Sequence, residues 1–188
     1  MDEMTARDTL GETVEEVDQV LATFNAILNL SRVRSTGEEH LQKLNVSELC
    51  ADVADLFEPA CEEAGLSFEA HINPDLYAKA DQALLAQALS NLVDNAIKYT
   101  PRGGAIALNV ETADKDITIT VSDTGPGIPE SDRERVKGRF VRLDDARTQA
   151  GSGLGLALVE AVANLHGGQL ELDESALGAS GLKASLSL

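Results

Sequence analysis

The sequence predicts an α/β (α+β) fold in which a mixed, mostly antiparallel sheet carries helices on one face, preceded by a long N-terminal helix. Segments that alternate polar and apolar residues occur among segments of helical periodicity, without a regular strand–helix–strand repeat. A heptad pattern at the start of the chain indicates the N-terminal helix. The chain has 188 residues, of which 43% are hydrophobic, so it can bury one sizeable core with a smaller appended element.

The N-terminal pattern predicts a helix of roughly thirty residues. Its apolar residues recur at alternating steps of four and three, at Leu10, Val14, Val17, Leu21, Phe24 and Leu28. Val20, Ile27 and Leu30 widen this stripe, which is typical of a helix packed against several neighbours in a bundle. A long amphipathic helix that lies on its own domain is the alternative.

A stop and linker at residues 31–40 divides the chain into residues 1–36 and 37–188. In the second part, five segments alternate as strands, at residues 66–72, 105–110, 117–122, 168–173 and 181–188. A short turn joins the second and third of these segments, which predicts an antiparallel hairpin.

Three helices are expected among these strands. Asn45 and Glu48 are spaced as a capping box at the start of the first helix. Its apolar face carries Leu49, Val53, Leu56 and Phe57. Asp81 caps the second helix, which runs through Tyr99, and residues 153–166 form the third.

The composition restricts the partners. A net charge of −17 argues against nucleic acid or an anionic membrane surface. No apolar run approaches the roughly 18 residues of a membrane span, and the N-terminus is too polar for a signal peptide. We therefore expect a cytoplasmic location, with no membrane segment in this chain.

The two cysteines are expected to be free thiols. Cys50 and Cys61 fall on one predicted helix, where a rise of 1.5 Å per residue separates them by about 16 Å, too far for a disulfide. Free thiols of this kind suit a reducing compartment, and both are interpreted as small core residues.

Cations are concentrated in one part of this acidic chain. Nine of the fifteen Lys and Arg residues lie between Lys98 and Arg147, and residues 133–147 carry six cations against three anions. Such a segment can meet a polyphosphate, although a solvated basic surface has the same composition.

The helix that ends at Tyr99 has an amide-rich stripe opposite its apolar face. The stripe gathers Gln87, Asn91, Asp94, Asn95 and Lys98. An Asn carbonyl oxygen can ligand Mg²⁺, Lys98 can meet a phosphate, and the Tyr99 ring can cover a base. A solvated helix face is the alternative.

The stretch SDTGPGIP, residues 122–129, ends a strand with Asp123 and continues in a glycine- and proline-rich turn. A buried carboxylate there can accept from the exocyclic amine of adenine. Gly125 and Gly127 would keep the backbone close to the base. An Asp-rich turn without a ligand remains open.

The stretch AGSGLGLALV, residues 150–159, has three glycines at every second position before a helix. Bare backbone at a helix N-terminus favours a phosphate. No Lys follows Gly155, which excludes a P-loop, and a Leu at the third glycine position excludes a dinucleotide loop.

Taken together, the motifs resemble those of sensor histidine kinases, members of the ATPase superfamily shared with gyrase, heat-shock chaperone and mismatch-repair ATPases. QALSNLVDNAIKYT is similar to the N box and DTGPGIP to the G1 box of that family. GRFVRLD is similar to its F box and GSGLGLA to its G2 box. The implied fold is a two-layer α/β sandwich.

The resemblance implies that the chain binds ATP and Mg²⁺. Asn91 would ligand Mg²⁺, and Asn95 and Lys98 would contact the phosphates. Tyr99 would pack on adenine, and Asp123 would bind its amine.

The lid and the following helix would complete the implied site. Arg142 would reach the phosphates. Five residues would contribute backbone amides, namely Gly151, Gly153, Leu154, Gly155 and Leu156.

The chain departs from the family in lacking a recognisable phosphoacceptor. His40, His71 and His166 do not have the sequence context of the acceptor, so each is interpreted as structural or solvated and no catalytic residue is assigned. Gln87 occupies a place where some relatives carry an acid, and we assign it no base role. The N-terminal helix resembles the second helix of the dimerisation hairpin, so we expect a fragment that does not autophosphorylate alone.

The expected function is that of the nucleotide-binding catalytic domain of a two-component sensor histidine kinase. The resemblance implies a homodimer through the N-terminal helix and a response-regulator receiver domain as partner. One alternative is a non-catalytic dimerisation and interaction module that nucleotide regulates. The other is a serine kinase of the anti-sigma-factor type.

Overall fold

The computed structural model describes residues 20–21, 23–25, 27–33, 37, 40–113, 116–143 and 152–188. The described residues between 20 and 33 are helical and are called α1 here. The strands are β1 (Gln42–Asn45), β2 (Ser67–Ile72), β3 (Tyr77–Ala80), β4 (Ala105–Ala113), β5 (Asp116–Asp123), β6 (Leu170–Glu174) and β7 (Leu182–Ser187). The remaining helices are α2 (Val46–Ala64), α3 (Gln82–Tyr99), α4 (Glu130–Val136) and α5 (Gly155–Leu165).

Five strands form one sheet in the order β2-β4-β5-β7-β6. The β2–β4 pair is parallel and the other three pairs are antiparallel, which confirms a mixed, mostly antiparallel sheet. Alternate residues of β4, such as Ile106 and Leu108, are almost fully buried beneath the helices. Asn109, between the buried Leu108 and Val110, is half-buried on the opposite face. Helices α2, α3 and α5 therefore cover one face of the sheet.

A second, two-stranded sheet pairs β1 with β3 and was not predicted. The sequences QKLN and YAKA are too short to show an alternating pattern. This ribbon leads directly into α2 and α3, so it fixes where both helices begin.

The two predicted N-caps are confirmed. Asn45 Oδ1 accepts from the Glu48 backbone N–H at 3.3 Å, and Asp81 Oδ1 accepts from that of Leu84 at 3.0 Å. The prediction for Leu56 was wrong, because its side chain is 69% exposed. Leu56 lies about 100° from the middle of the buried stripe of α2, so it points past the core.

The end of α1 packs onto the rest of the molecule. The helix continues through residue 33, so the predicted stop at residue 31 was too early. Leu30 and Val33 are each only 6% exposed, whereas the other apolar residues described on α1 are mostly exposed. The heptad positions Leu10, Val14 and Val17 lie outside the described residues, and the division of the chain at residue 36 stays a prediction.

The cysteines are free and buried, as expected. Burial raises the pKa of the Cys50 thiol to about 12 and also raises that of Cys61, with the Glu58 carboxylate adding to the shift at Cys61. Both thiols are therefore protonated and chemically quiet at neutral pH. Within the described stretches, no helix combines the length and apolar character that crossing a membrane requires.

Candidate functional site

The first residue of α5 lies directly against the amide-rich stripe of α3. A Cβ atom added to Gly155 would lie 3.3 Å from Asn91 Oδ1 and 3.6 Å from Asn95 Nδ2. The missing side chain therefore lets the N-terminal end of α5 approach the two amides closely. A helix N-terminus carries unsatisfied N–H groups and a partial positive charge, so this junction suits an anion.

The Asn91 side chain has a defined orientation in this junction. Its Nδ2 atom donates to the Gln87 carbonyl oxygen at 2.8 Å, one turn earlier on α3. This bond leaves Oδ1 as the amide atom nearer to Gly155. Asn91 thus presents a neutral carbonyl oxygen, the kind of ligand that Mg²⁺ accepts.

Lys98 and Tyr99 form the end of the stripe. The Lys98 ammonium lies 4.9 Å from the centroid of the Tyr99 ring, within cation–π range. Both side chains are half-buried. A Cβ atom on Gly125 would lie 2.8 Å from the Tyr99 carbonyl oxygen, so the end of α3 touches the turn that follows β5.

Asp123 is a buried carboxylate at the end of β5, with 6% of its surface exposed. Its Oδ1 atom accepts from the backbone N–H groups of Gly125 at 2.7 Å and Leu182 at 3.1 Å. Burial raises the pKa of the carboxyl group, and the two backbone hydrogen bonds oppose that shift. Neither bond uses Oδ2, and no protein donor among the described residues contacts that atom.

The glycines around Asp123 serve backbone packing inside the protein. Gly127 has a φ of 73°, and a Cβ atom there would lie 2.8 Å from the Gly181 carbonyl oxygen. Gly181 packs in turn against the Asp123 carbonyl, where any side chain would clash. We expected Gly125 and Gly127 to keep the backbone near a base, and this contact stays a prediction; the structure shows the packing role of Gly127.

Sequence reasoning missed Gly181, which packs against the Asp123 backbone carbonyl, and Leu182, whose N–H bonds to the carboxylate. The available signal was a glycine immediately before the last strand. It is a weak signal, because the contact joins residues far apart in the chain.

The glycine loop is tied to the segment after α4. The Phe140 N–H donates to the Gly153 carbonyl oxygen at 2.9 Å, and a Cβ atom on Gly153 would lie 2.9 Å from the Val141 carbonyl oxygen. Gly153 has a φ of 68°, and Phe140 adopts a left-handed conformation with a φ of 60°. Arg142 is half-buried in the same segment, whereas Gly151 lies outside the described residues.

Leu154 and Leu156 contribute side chains to the core. Leu154 is fully buried, and Leu156 is half-buried against the core cluster. Their side chains therefore pack inside the protein, and only their backbone groups are suited to contact a ligand.

Described cations in residues 133–147 form ion pairs with protein carboxylates. Arg133 lies 3.6 Å from Asp173, and Lys137 lies 2.7 Å from Glu134. Arg135 pairs with Asp132 at 2.8 Å. These pairs tie α4 to β6 and support α4 itself, a short polar helix that was not predicted. They argue against a phosphate-binding role for these three cations.

Comparison with known proteins agrees with this geometry. The family described as "Histidine kinase-, DNA gyrase B-, and HSP90-like ATPase" matches residues 80–188. Adaptive-response sensory kinase SasA of Synechococcus sp. (strain JA-3-3Ab) is 35% identical over 92% of this chain and 45% of its own length.

Solved structures, among them one of a histidine kinase, have the same fold. The catalytic domain of histidine kinase ThkA superposes with a TM-score of 0.70 at 28% identity, over 79% of this chain and 95% of that one. Full-length ShkA in complex with AMPPNP superposes with a TM-score of 0.77 at 28% identity, over 96% of this chain and 38% of that one.

The chain spans less than half the length of the SasA kinases that it matches. The family match nevertheless covers more than half of this chain, including α3, the β5 turn and α5. The chain belongs to the histidine kinase-, DNA gyrase B- and HSP90-like ATPase family.

Proposed function

We propose that this chain contains the nucleotide-binding catalytic domain of a two-component sensor histidine kinase. The domain binds ATP with Mg²⁺ and presents the γ-phosphoryl group to a His outside this chain, for relay to an Asp of a response-regulator receiver domain. The observation that carries the proposal is the contact of Gly155 with Asn91 and Asn95, and the buried carboxylate of Asp123 supports it. Membership of an ATPase family supports ATP as the nucleotide.

The adenine base is recognised at the end of β5. Asp123 Oδ2 accepts from the exocyclic amine, while Oδ1 stays bonded to Gly125 and Leu182. The Tyr99 ring packs on the base, and the turn at Gly125 and Gly127 brings backbone close to it. A buried acceptor of this kind discriminates strongly, because a base without an amine leaves the carboxylate unpaired.

The phosphates lie at the N-terminal end of α5. Backbone N–H groups from Gly151, Gly153, Leu154, Gly155 and Leu156 donate to them, in the positive field of the helix end. Asn95 and Lys98 contact the phosphates from α3, and Arg142 reaches them from the segment after Phe140. These donors offset the charge that develops on the phosphoryl group during in-line transfer.

Asn91 Oδ1 would hold Mg²⁺ beside the nucleotide phosphates. The fit rests on the bond from Nδ2 to Gln87, which leaves the amide oxygen directed to the phosphate end of the site. No group of three or more His, Cys, Asp or Glu side chains suited to a metal occurs among the described residues. The ion offsets phosphate charge when it is bound.

The N-terminal residues 1–36 belong to a dimerisation element, and residues 37–188 form the catalytic domain. Exposed apolar side chains line the described part of α1, namely Val20, Leu21, Phe24, Ile27 and Leu28. Such a patch marks a protein–protein contact, and we assign it to a homodimer of the full-length kinase in the cytoplasm.

The exposed apolar face of α1 also suits a non-catalytic interaction module, the second candidate function. The similarity to named sensory kinases supports histidine transfer over the serine kinase of the anti-sigma-factor type. The histidine kinase, the serine kinase and the interaction module would all bind nucleotide. Only a test of phosphoryl transfer therefore distinguishes these three functions.

Replacing Asp123 by Asn tests adenine recognition. Asn Oδ1 keeps both backbone bonds, but Nδ2 then presents a donor to the adenine amine, itself a donor. We expect the ADP dissociation constant to rise about ten-fold or more, since a hydrogen bond to a charged group contributes about 1.5–3 kcal/mol. Calorimetry measures the change, and Asp116→Asn on the exposed start of the same strand is the matched control. Equal binding by both variants would remove the adenine assignment.

The same variant is expected to be at least as stable as the unchanged chain at neutral pH. Because burial raises the pKa of Asp123, its ionised form costs folding free energy above that pKa, and this cost disappears on acidification. The gain in free energy of unfolding of Asp123→Asn over the unchanged chain should therefore shrink as the pH falls towards about 4. Urea unfolding across this pH range measures the stability difference. A variant that is less stable than the unchanged chain by the same amount at neutral and at acidic pH would contradict the prediction.

Removal of the metal tests Asn91. For the unchanged chain, we expect chelation of Mg²⁺ to weaken ATP binding, and for Asn91→Ala we expect chelation to have little effect. Binding titrations give the ATP dissociation constant with Mg²⁺ and with a chelator, and the ratio of the two is compared between variants. Asn164→Ala on the exposed face of α5 is the control. A full Mg²⁺ effect in Asn91→Ala would exclude this residue as the ligand.

Phosphoryl transfer in trans separates the candidate functions. When the chain is mixed with ATP, Mg²⁺ and a hairpin that carries an acceptor His, we expect acid-labile phosphohistidine on the hairpin. Asn91→Ala serves as the control for site-dependent transfer. Acid-stable phosphoserine on a partner would favour the serine kinase, and nucleotide binding without any transfer would favour the interaction module.

A further inference from the structure

A histidine outside the nucleotide site connects the two helices that form that site. His166 directly follows α5, and its Nε2 atom accepts from the Asp81 backbone N–H at 3.0 Å. Its Nδ1 atom lies 2.7 Å from the Val162 carbonyl oxygen. A carbonyl only accepts and a backbone N–H only donates, so Nδ1 carries the proton and Nε2 does not. These two partners therefore require the neutral imidazole.

The chain after His166 holds the ring in place. Gly167 has a φ of 78°, and the Gly168 N–H donates to the Ala163 carbonyl oxygen at 3.0 Å. Gly168 packs against the Ser187 carbonyl of β7, where a side chain would clash. The end of α5 is thus fixed on the sheet, and His166 projects from a defined position.

Asp81 is the residue through which three helices meet. Its carboxylate caps α3 by accepting from the Leu84 N–H at 3.0 Å. The other carboxylate oxygen lies 3.8 Å from an Arg32 guanidinium nitrogen on α1. Its backbone N–H bonds to His166. A change at His166 therefore acts on the start of α3.

The helices α3 and α5 are antiparallel and are joined at two levels. At one level His166 meets Asp81, and at the other Gly155 meets Asn91. The two levels are about 15 Å apart along α3 and about 16 Å apart along α5, at 1.5 Å per residue. The matching spacings mean that the His166 contact sets how far along α3 the N-terminal end of α5 lies.

We infer that neutral His166 is a positioning residue for the nucleotide site, which holds the N-terminal end of α5 against Asn91 through its bond to Asp81. The inference rests on the proposed function, because the affected ligand is the nucleotide. Protonation of Nε2 removes the acceptor for the Asp81 N–H.

Two substitutions separate the accepting atom from the rest of the ring. In His166→Gln, the side-chain oxygen extends as far as Nε2 and accepts from the Asp81 N–H. In His166→Asn, the shorter amide still reaches Val162 but not Asp81. The dissociation constant of Mg·ADP is measured for both variants and for the unchanged chain.

We expect the Gln variant to bind Mg·ADP like the unchanged chain and the Asn variant to bind it about five-fold more weakly, the effect of one hydrogen bond. Rescue by Gln but not by Asn isolates the accepting atom of the His166 ring. Thermal melts verify that each variant is folded.

Each remaining outcome overturns part of the account. Equal affinity of all three folded proteins overturns the positioning inference alone. A folded Gln variant that binds Mg·ADP several-fold more weakly than the unchanged chain does the same, even when the Asn variant fails to fold. Absence of Mg·ADP binding by the unchanged chain overturns the proposed function, and this inference with it.

Discussion

The close approach of α5 to α3 is the contact on which the candidate site depends. Both helices pack their apolar sides into one core, with Leu89 and Val159 almost fully buried. Their polar ends then meet without an intervening side chain, because Gly155 lies against Asn91 and Asn95. A larger residue at this position would separate the helix N-terminus from the amides. The core thus positions a set of donors and one oxygen ligand around a common space.

The site also includes features that oppose stability. Asp123 is a buried carboxylate with a raised pKa, held by two backbone N–H groups. Gly127 and Gly181 adopt backbone conformations that other residues rarely adopt. A protein without a ligand has little need for a buried acidic group with one oxygen uncommitted. The loss of stability from burying Asp123 is explained if a donor on the ligand bonds to the uncommitted carboxylate oxygen.

Local chemistry explains which parts of the fold were predictable. The caps at Asn45 and Asp81 depend on residues three positions away, and the period of the large-sheet strands is visible within each segment. By contrast, the β1–β3 ribbon and the bond from Leu182 to Asp123 join distant residues. No local pattern encodes such contacts, so they emerged only in the structure.

In the candidate site too, residue types were predictable from local sequence, whereas contacts between distant residues were not. Asn91, Asp123 and Gly155 were singled out because their residue types suit a nucleotide, and the structure brings them to neighbouring elements. The cations of α4 were misleading, since composition does not reveal that Arg135 and Lys137 pair with carboxylates one turn away. His166 was interpreted as structural or solvated, and its link to Asp81 joins residues 85 positions apart.

A structure determined with bound Mg·ADP tests the central claim most directly. The account predicts the adenine amine on Asp123 Oδ2, the metal on Asn91 Oδ1 and phosphate oxygens at the N-terminal end of α5. A nucleotide bound elsewhere, or a base that leaves Asp123 in contact with protein alone, would contradict it.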